Sequence, residues 1–258
     1  MKVPLLCQWS GDGDIAAAFL RHYIRWVSEF HLILHGSEEA NQVIVDLRRS
    51  FPIVIHDRYE GRFDDEEKKR RLNDLAAKFR EQWLLVVDSD EFLELPYDTM
   101  DDAICNLEQF GFTYMAAPML QRFRADCSLD SPEIVNEISD EFPMCSERLY
   151  ELMGNVTGLT TKFPLFRCTA ASTIGIGHHL PPNQVCPDNQ ISGVSHHFKW
   201  RSSAISRIAA RIEEKWPWAE TESVFYLRYL EENGMKLPAN GAFRYSREEL
   251  FKRELLKV

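Results

Sequence analysis

The first half of the chain alternates short apolar runs with segments of helical periodicity. Apolar runs at 3–9, 30–35, 52–56 and 83–87 predict four strands. Helical spacing predicts a helix that Asp14 caps and a second helix over 38–50, and the charge run from Asp64 predicts a third helix with a solvated face. Strands joined by helices require right-handed parallel crossovers. The pattern therefore predicts an α/β fold with a doubly wound, mostly parallel sheet flanked by helices.

The second half of the chain is less regular. The stretch 125–160 is polar and predicts an insertion or lid at the edge of the sheet. Strand-like segments follow at 162–168, 173–176 and 191–199, and helical patterns follow at 203–215 and 221–233. We therefore expect one domain over 1–205, with a C-terminal helical extension over 206–258 packed on the same domain.

Composition narrows the class of partner. The chain has 258 residues and a formal net charge of −10, which disfavours nucleic-acid binding because such binding depends on basic surface. No apolar run approaches the roughly 20 residues of a transmembrane helix, and residues 1–9 lack the features of a signal peptide. The six cysteines include no C-x-x-C pair, which favours reduced thiols. We expect a cytoplasmic protein without a transmembrane segment.

Candidate chemistry is concentrated where the fourth predicted strand ends. Asp88, Asp90 and Glu91 follow that strand, and ligands of open α/β sheets bind beyond the carboxyl ends of the strands. In extended backbone the side chains of Asp88 and Asp90 emerge on the same side, where two carboxylates repel each other unless a cation compensates them. Mg²⁺ or Mn²⁺ would supply that charge. The alternative is that these acids cap the next helix or pair with nearby Arg or Lys.

Residues 87–93, which read V-D-S-D-E-F-L, resemble the D-x-D-E-F segment of family-2-like glycosyltransferases with the GT-A fold. Further segments are similar to the family in the same order over roughly residues 1–205. They are the helix at 19–26, the Arg-Leu-Asn at 71–73, the K-x-P-L-x-R strand at 162–167, the two histidines at 178–179, and 195–202. The resemblance implies a GT-A-like (Rossmann-like) catalytic domain over 1–205 that binds a nucleotide sugar and a metal ion.

The same resemblance implies roles for individual residues. Asp90 would bind a divalent metal ion, Mn²⁺ or Mg²⁺, His197 would complete the shell of the ion, and Asp88 would bind the metal or the donor sugar. The other donor-binding residues would be Asn73, Lys162, Lys199 and Arg201. The last two could offset the charge of a diphosphate.

The resemblance implies transfer of a sugar from a nucleoside-diphosphate donor to a hydroxyl of a glycan or another acceptor, with inversion at the anomeric carbon. Inversion requires a group that accepts the proton of the acceptor, and the candidates are Asp188, Glu91 and His179. Two alternatives stay open. A nucleotidyltransferase acting on a sugar phosphate could use a related sheet, although its phosphate loop is commonly Gly-rich and basic and residues 10–14 here are acidic. The other is a non-catalytic nucleotide-sugar-binding domain.

Overall fold

The computed structural model describes residues 1–133, 137–155, 160–182, 193–216 and 219–252. Within these ranges the chain forms two compact units. The first unit consists of Met1–Pro118 and Thr161–Ser195, and the second consists of Met119–Thr160 and His196–Lys252.

Strands and helices alternate along the first half of the chain, and helices dominate its C-terminal part. The described strands are β1 Val3–Trp9, β2 Val27–His35, β3 Ile53–Tyr59, β4 Trp83–Val86, β5 Glu91–Glu94, β6 Tyr114–Phe123, β7 Met144–Ser146, β8 Thr161–Arg167, β9 Val194–His197 and β10 Phe243–Arg244. The described α-helices are α1 Ala16–Tyr23, α2 Glu38–Leu47, α3 Asp65–Ala76, α4 Met100–Gln109, α5 Ile138–Glu141, α6 Leu149–Leu152, α7 Ser203–Glu213, α8 Ala219–Glu232 and α9 Arg247–Leu250. Short 3₁₀ helices occur at Ala77–Phe79 and Ile176–His178.

The first unit is built on a sheet whose strands lie in the order β8-β4-β1-β2-β3. Strands β4, β1, β2 and β3 are parallel, as the alternation of strands and helices predicts. Strand β8 runs antiparallel to β4, with Leu85 opposite Leu165, and the first part of β6 runs antiparallel to β8. Strand β5 lies off this path and pairs with β9, which begins in the same unit at Val194. The predicted α/β class is confirmed, and the sheet is mixed beyond β4.

The strands at the centre of this sheet are buried on both faces. Every residue of β1 and β4 is buried, which explains why both strands are almost wholly apolar. Helix α1 packs through Phe19, whose ring meets those of Trp9 and Phe92 edge-on, with centroids 5.4 and 5.8 Å apart. The carboxyl ends of the parallel strands lie together at one edge of the unit.

The second unit contains the end of β6 and a small antiparallel sheet. Gln121 of β6 pairs with Ser146 of β7, and β7 pairs in turn with β10. Helices α7 and α8 pack on each other, and the buried core of this unit includes Trp200. The segment 125–160, predicted to be irregular, therefore contributes β7, α5 and α6 to this unit.

Two local predictions are wrong. Asp14 is not the N-cap of α1, because the N-cap of this helix is Ile15, one residue later. Residues 173–176 form no strand, because the backbone N–H and C=O of Ile174 bond instead to the side chain of Asn73, at 2.8 and 3.0 Å. This side chain supplies the pairs that a neighbouring strand would otherwise make.

Among the described residues, no helix combines the length and the apolar character that crossing a bilayer requires. The described cysteines, at positions 7, 105, 127, 145 and 168, are free thiols, and Cys186 lies outside the described residues.

Asp64 is the N-cap of α3, and its carboxylate accepts from the backbone N–H groups of Glu66 and Glu67. We expect Asp64→Ala to lower the free energy of unfolding by about 1 kcal/mol, because two amides of the first turn lose their acceptor. Urea denaturation followed by circular dichroism measures the change. Asp64→Ser keeps a capping oxygen and should stay close to the wild type, so equal losses in the two variants would contradict the capping role.

Candidate functional site

Strand β4 ends at Val86, before the acidic segment begins. Asp88 and Asp90 lie in a turn that a hydrogen bond closes, from the N–H of Glu91 to the C=O of Asp88 at 3.1 Å. Because β5 begins directly at Glu91, the chain has to change direction at these residues. The expectation that extended backbone would carry Asp88 and Asp90 is therefore wrong.

Asp88 belongs to a chain of alternating charges that involves two lysines. Lys68 Nζ, from α3, lies 2.5 Å from Asp88 Oδ1. Lys162 Nζ, from β8, lies 3.4 Å from Asp88 Oδ2 and 2.6 Å from Glu91 Oε1. We call these four residues the charge cluster. The alternative that the sequence left open, pairing of the acids with nearby lysines, holds for Asp88 and Glu91.

The charge cluster is buried. The side chains of Glu91 and Lys162 are 2% and 5% exposed, and that of Asp88 is 20% exposed. Burial alone would raise the pKa of Asp88, but the ammonium groups of Lys68 and Lys162 outweigh it and hold this pKa well below its ordinary value. Burial would likewise lower the pKa of each lysine, and the neighbouring carboxylates raise both above the usual value. Asp88 and both lysines therefore stay charged at neutral pH.

His178 lies against the charge cluster without entering its hydrogen bonds. Its Nδ1 is 3.9 Å from Asp88 Oδ1, and the side chain is 3% exposed. Neither ring nitrogen has a hydrogen-bond partner among the described residues. Burial lowers the pKa of His178 to about 3, so its imidazole is neutral at neutral pH. Buried polar groups normally have hydrogen-bond partners, so a water molecule or a ligand group is expected beside this ring.

A tight turn presents His178 to Asp88. Gly177 and His178 both have left-handed backbone, with φ of 55° and 58°. Such a conformation is strained for histidine, and strain of this kind is often kept at functional sites. Lys162 Nζ donates to Gly177 O at 2.6 Å, so one ammonium group fixes both the turn and the acids. A Cβ at Gly177 would lie 2.9 Å from His179 Cδ2, which explains the glycine.

A metal ion has possible ligands in this part of the site. Asp88, Glu91 and His178 each offer one ligand atom, and these atoms lie within 4.8 Å of one another. Carboxylate oxygens and an imidazole nitrogen can bind Mn²⁺ or Mg²⁺. However, Lys68 and Lys162 already bring two positive charges to the two carboxylates, and a further dication in a buried site would leave an excess of positive charge. The ligand positions fit a metal ion, but the charge does not while the lysines stay in place.

The surroundings of the acidic turn lie at the edge of the sheet where the parallel strands end. Asp12, in the loop after β1, is buried and accepts a hydrogen bond from Ser89 Oγ. Both residues follow the carboxyl ends of parallel strands, where open α/β sheets bind ligands. A cavity of about 320 Å³ opens at the same edge, after β2 and β3, and Asn41, Arg58 and Tyr59 are among its lining residues.

Two predicted ligand residues of the first unit lie in different surroundings. The side-chain amide of Asn73 exchanges two hydrogen bonds with Ile174 and also donates to Lys69 O at 2.8 Å. Through these bonds the side chain of Asn73 holds the backbone at Ile174. The role of Asn73 in donor binding stays a prediction. Asp90 is partly exposed in the acidic turn, and its role as a metal ligand likewise stays a prediction.

Three predicted ligand residues belong to the second unit. His197 Nδ1 lies 3.1 Å from the hydroxyl of Tyr150. Lys199 Nζ lies over three aromatic rings, 4.6 to 5.3 Å from their centroids, where cation–π attraction stabilises it. Arg201 is fully buried and donates to Phe198 O. The roles of these residues toward a metal ion or a diphosphate stay predictions.

The candidates for proton acceptance differ in their surroundings. Asp188 lies outside the described residues. Glu91 is engaged by Lys162, as described above. His179 Nδ1 lies 2.8 Å from Thr161 O, so the backbone of β8 holds this ring.

Sequence reasoning missed Lys68 and gave His178 no role of its own. The charge run 64–71 predicts only a solvated helix face, yet Lys68 is buried. The available signal was spacing, because Lys68 lies four and seven residues before Leu72 and Leu75 and shares their buried face. His178 has no comparable signal, because only the folded turn distinguishes it from His179.

No protein-family model matches the chain, and no curated protein sequence matches it. Among solved structures, S. aureus TarS 1-349 in complex with UDP-GlcNAc is similar at 11% identity and a TM-score of 0.39, over 89% of this chain and 72% of that chain. A 4-diphosphocytidyl-2C-methyl-D-erythritol synthase is similar at 12% identity and a TM-score of 0.32, over 100% and 98% of the two chains. The inositol-1-phosphate CTP transferase from T. maritima is similar at 10% identity and a TM-score of 0.30, over 92% and 83%. Similarities at this level assign neither a family nor a function.

Glu91 and Lys162 form a buried ion pair, and removal of one partner takes away the nearest opposite charge of the other. We expect Glu91→Gln and Lys162→Met each to lower the free energy of unfolding by about 3–5 kcal/mol. The double variant should lose less than the sum of the two, because neither charge is then left alone. Chemical denaturation of the wild type and the three variants measures this coupling.

The control for this cycle is Asp74→Asn, which removes one exposed partner of Arg70 on α3. It should change the unfolding free energy far less, because water screens an exposed pair. Strictly additive losses from Glu91→Gln and Lys162→Met would show that the two side chains do not stabilise each other.

Proposed function

We propose that the protein is a glycosyltransferase that moves a sugar from a nucleoside-diphosphate donor to a hydroxyl of a glycan or another acceptor. The observation that carries the proposal is the charge cluster beyond the carboxyl end of β4. A carboxylate kept ionised at this edge of an α/β sheet is suited to holding a polar substrate group. The resemblance to the D-x-D-E-F segment indicates which substrate class this group belongs to.

Asp88 is the central residue of the proposed donor site. Its two oxygens face ammonium groups from two different elements, so the carboxylate cannot rotate without breaking an ion pair. Its remaining lone pairs can accept hydrogen bonds from hydroxyls of the donor sugar. The neutral ring of His178 can exchange a further hydrogen bond with the same sugar. Groups fixed in this way hold a substrate without reorganising when it binds.

The divalent ion that the resemblance implies, Mn²⁺ or Mg²⁺, belongs to this proposal at Asp90. When bound there, the ion would supply positive charge for the departing diphosphate. The contribution of the chain is to anchor the residues before Asp90. Ser89 is bonded to Asp12, and the carbonyl of Asp88 accepts from Glu91.

Transfer with inversion requires a group that takes the proton of the acceptor hydroxyl. Glu91 is engaged by Lys162, and this pairing suits charge compensation better than proton transfer. We therefore assign proton acceptance to Asp188, with His179 as the alternative that the sequence also offers.

A panel of nucleotide sugars, with release of the nucleoside diphosphate as the readout, tests the proposal and identifies the donor. We expect Asp88→Asn to lower the rate of release about 100-fold or more, because a fixed charge at the reacting group is lost. Asp74→Asn, on the exposed face of α3, should leave the rate unchanged. Release of pyrophosphate from a nucleoside triphosphate and a sugar phosphate would instead identify a nucleotidyltransferase. Donor binding without release would identify a binding domain.

Asp90→Ala tests the assignment of the metal ion. We expect the variant to lose Mn²⁺-dependent donor binding and to keep a melting temperature close to that of the wild type, because Asp90 is partly exposed in a turn. Isothermal titration calorimetry of the donor, with and without Mn²⁺, measures the dependence. The same Mn²⁺ dependence in both proteins would reject Asp90 as a ligand of the ion.

A further inference from the structure

The lysines of the charge cluster lie beside the same carboxylate oxygens that a metal ion bound to Asp88 and Glu91 would use. Asp88 Oδ1 has an ammonium nitrogen 2.5 Å away, and Glu91 Oε1 has one 2.6 Å away. A divalent ion such as Mg²⁺ lies about 2.0–2.1 Å from its oxygen ligands and would meet these ammonium groups directly.

We propose that Lys68 and Lys162 take the place of a divalent ion at Asp88 and Glu91, so that this part of the site excludes metal. The proposal goes beyond the transferase function and does not rest on it, because it concerns the affinity for metal rather than turnover. It also departs from the resemblance, which allows a metal ion at Asp88. The acidic segment then has two kinds of carboxylate, namely Asp88 and Glu91, which the lysines neutralise, and Asp90, which is assigned to an added ion.

The coordination of Lys162 supports this substitution. Its ammonium group has three N–H donors, and three oxygens surround it. They are Glu91 Oε1 at 2.6 Å, Gly177 O at 2.6 Å and Asp88 Oδ2 at 3.4 Å. This arrangement of two carboxylates and one carbonyl is of the kind that a hard cation takes in proteins. Lys162 therefore fills a site built for a cation.

The charge balance supports it as well. The carboxylates of Asp88 and Glu91 face the ammonium groups of Lys68 and Lys162 in ion pairs of 2.5 to 3.4 Å. Charges buried at these distances are costly unless their sum is close to zero. Because the lysines come from α3 and β8, two elements of the same unit, the balance is set by the fold.

Mn²⁺ binding to the full chain, without donor, tests the proposal, and electron paramagnetic resonance of free Mn²⁺ is the readout. The single variant His178→Ala should have the same Mn²⁺ affinity as the wild-type protein, since no ion would use this ring. Lys162→Met and Lys68→Met should each gain Mn²⁺ affinity, by about tenfold or more, because a nearby positive charge that repels the ion is gone. Adding Glu91→Gln to Lys162→Met should remove the gain. Lys69→Met, which removes a more exposed lysine of α3, is the matched control and should gain nothing.

A tenfold or greater loss of Mn²⁺ affinity in His178→Ala would overturn the proposal, because the wild type would then hold an ion at this ring. That comparison needs no lysine variant, so it decides the question even if Lys162→Met and Lys68→Met fail to fold. Folded lysine variants without a gain in affinity would also overturn it. Since turnover is not measured, either result leaves the test of the transferase proposal unaffected.

Discussion

The pairing of buried acids with buried lysines is the interaction on which the candidate site depends. Carboxylates close together in a protein interior repel each other, so the acidic turn after β4 can be buried only with compensating charge. Lys68 supplies one part of that charge from α3, and Lys162 supplies the other from β8. Lys162 also bonds to Gly177, so the turn that presents His178 depends on the same ammonium group. The positions of the acids and the conformation of the neighbouring turn therefore depend on the same ammonium group.

Much of the first unit can be predicted from its sequence, because its elements have strong periodicity. The run 3–9 coincides with β1, and the helix after Asp64 begins where its cap and its acidic first turn predict. The direction of β8 could not be predicted, because apolar composition gives the existence of a strand and not its orientation in the sheet. Residues 173–176 illustrate a second limit, since a single side chain, that of Asn73, satisfies the backbone there.

The candidate site is predictable in one part and not in the other. Three acids at the end of an apolar strand indicate a candidate ligand site by position alone. In the structure, the neighbouring lysines keep the pKa of Asp88 low, so that its carboxylate is ionised. Its cationic partners are less visible, because Lys68 and Lys69 are adjacent in one charge run and differ only by about 100° of rotation around α3. Packing of Leu72 on the core decides which of the two is buried. Local composition carries no such information.

The antiparallel strand β8 has a consequence for the order in which the chain can assemble. Lys68 lies 20 residues before Asp88, whereas Lys162 lies 74 residues after it. During synthesis, an N-terminal portion can therefore form the central parallel strands and give Asp88 its first counter-charge. The ion pair between Lys162 and Glu91 can form only when β8 has been made and has joined the edge of β4. Arrival of the late strand therefore completes the charge cluster.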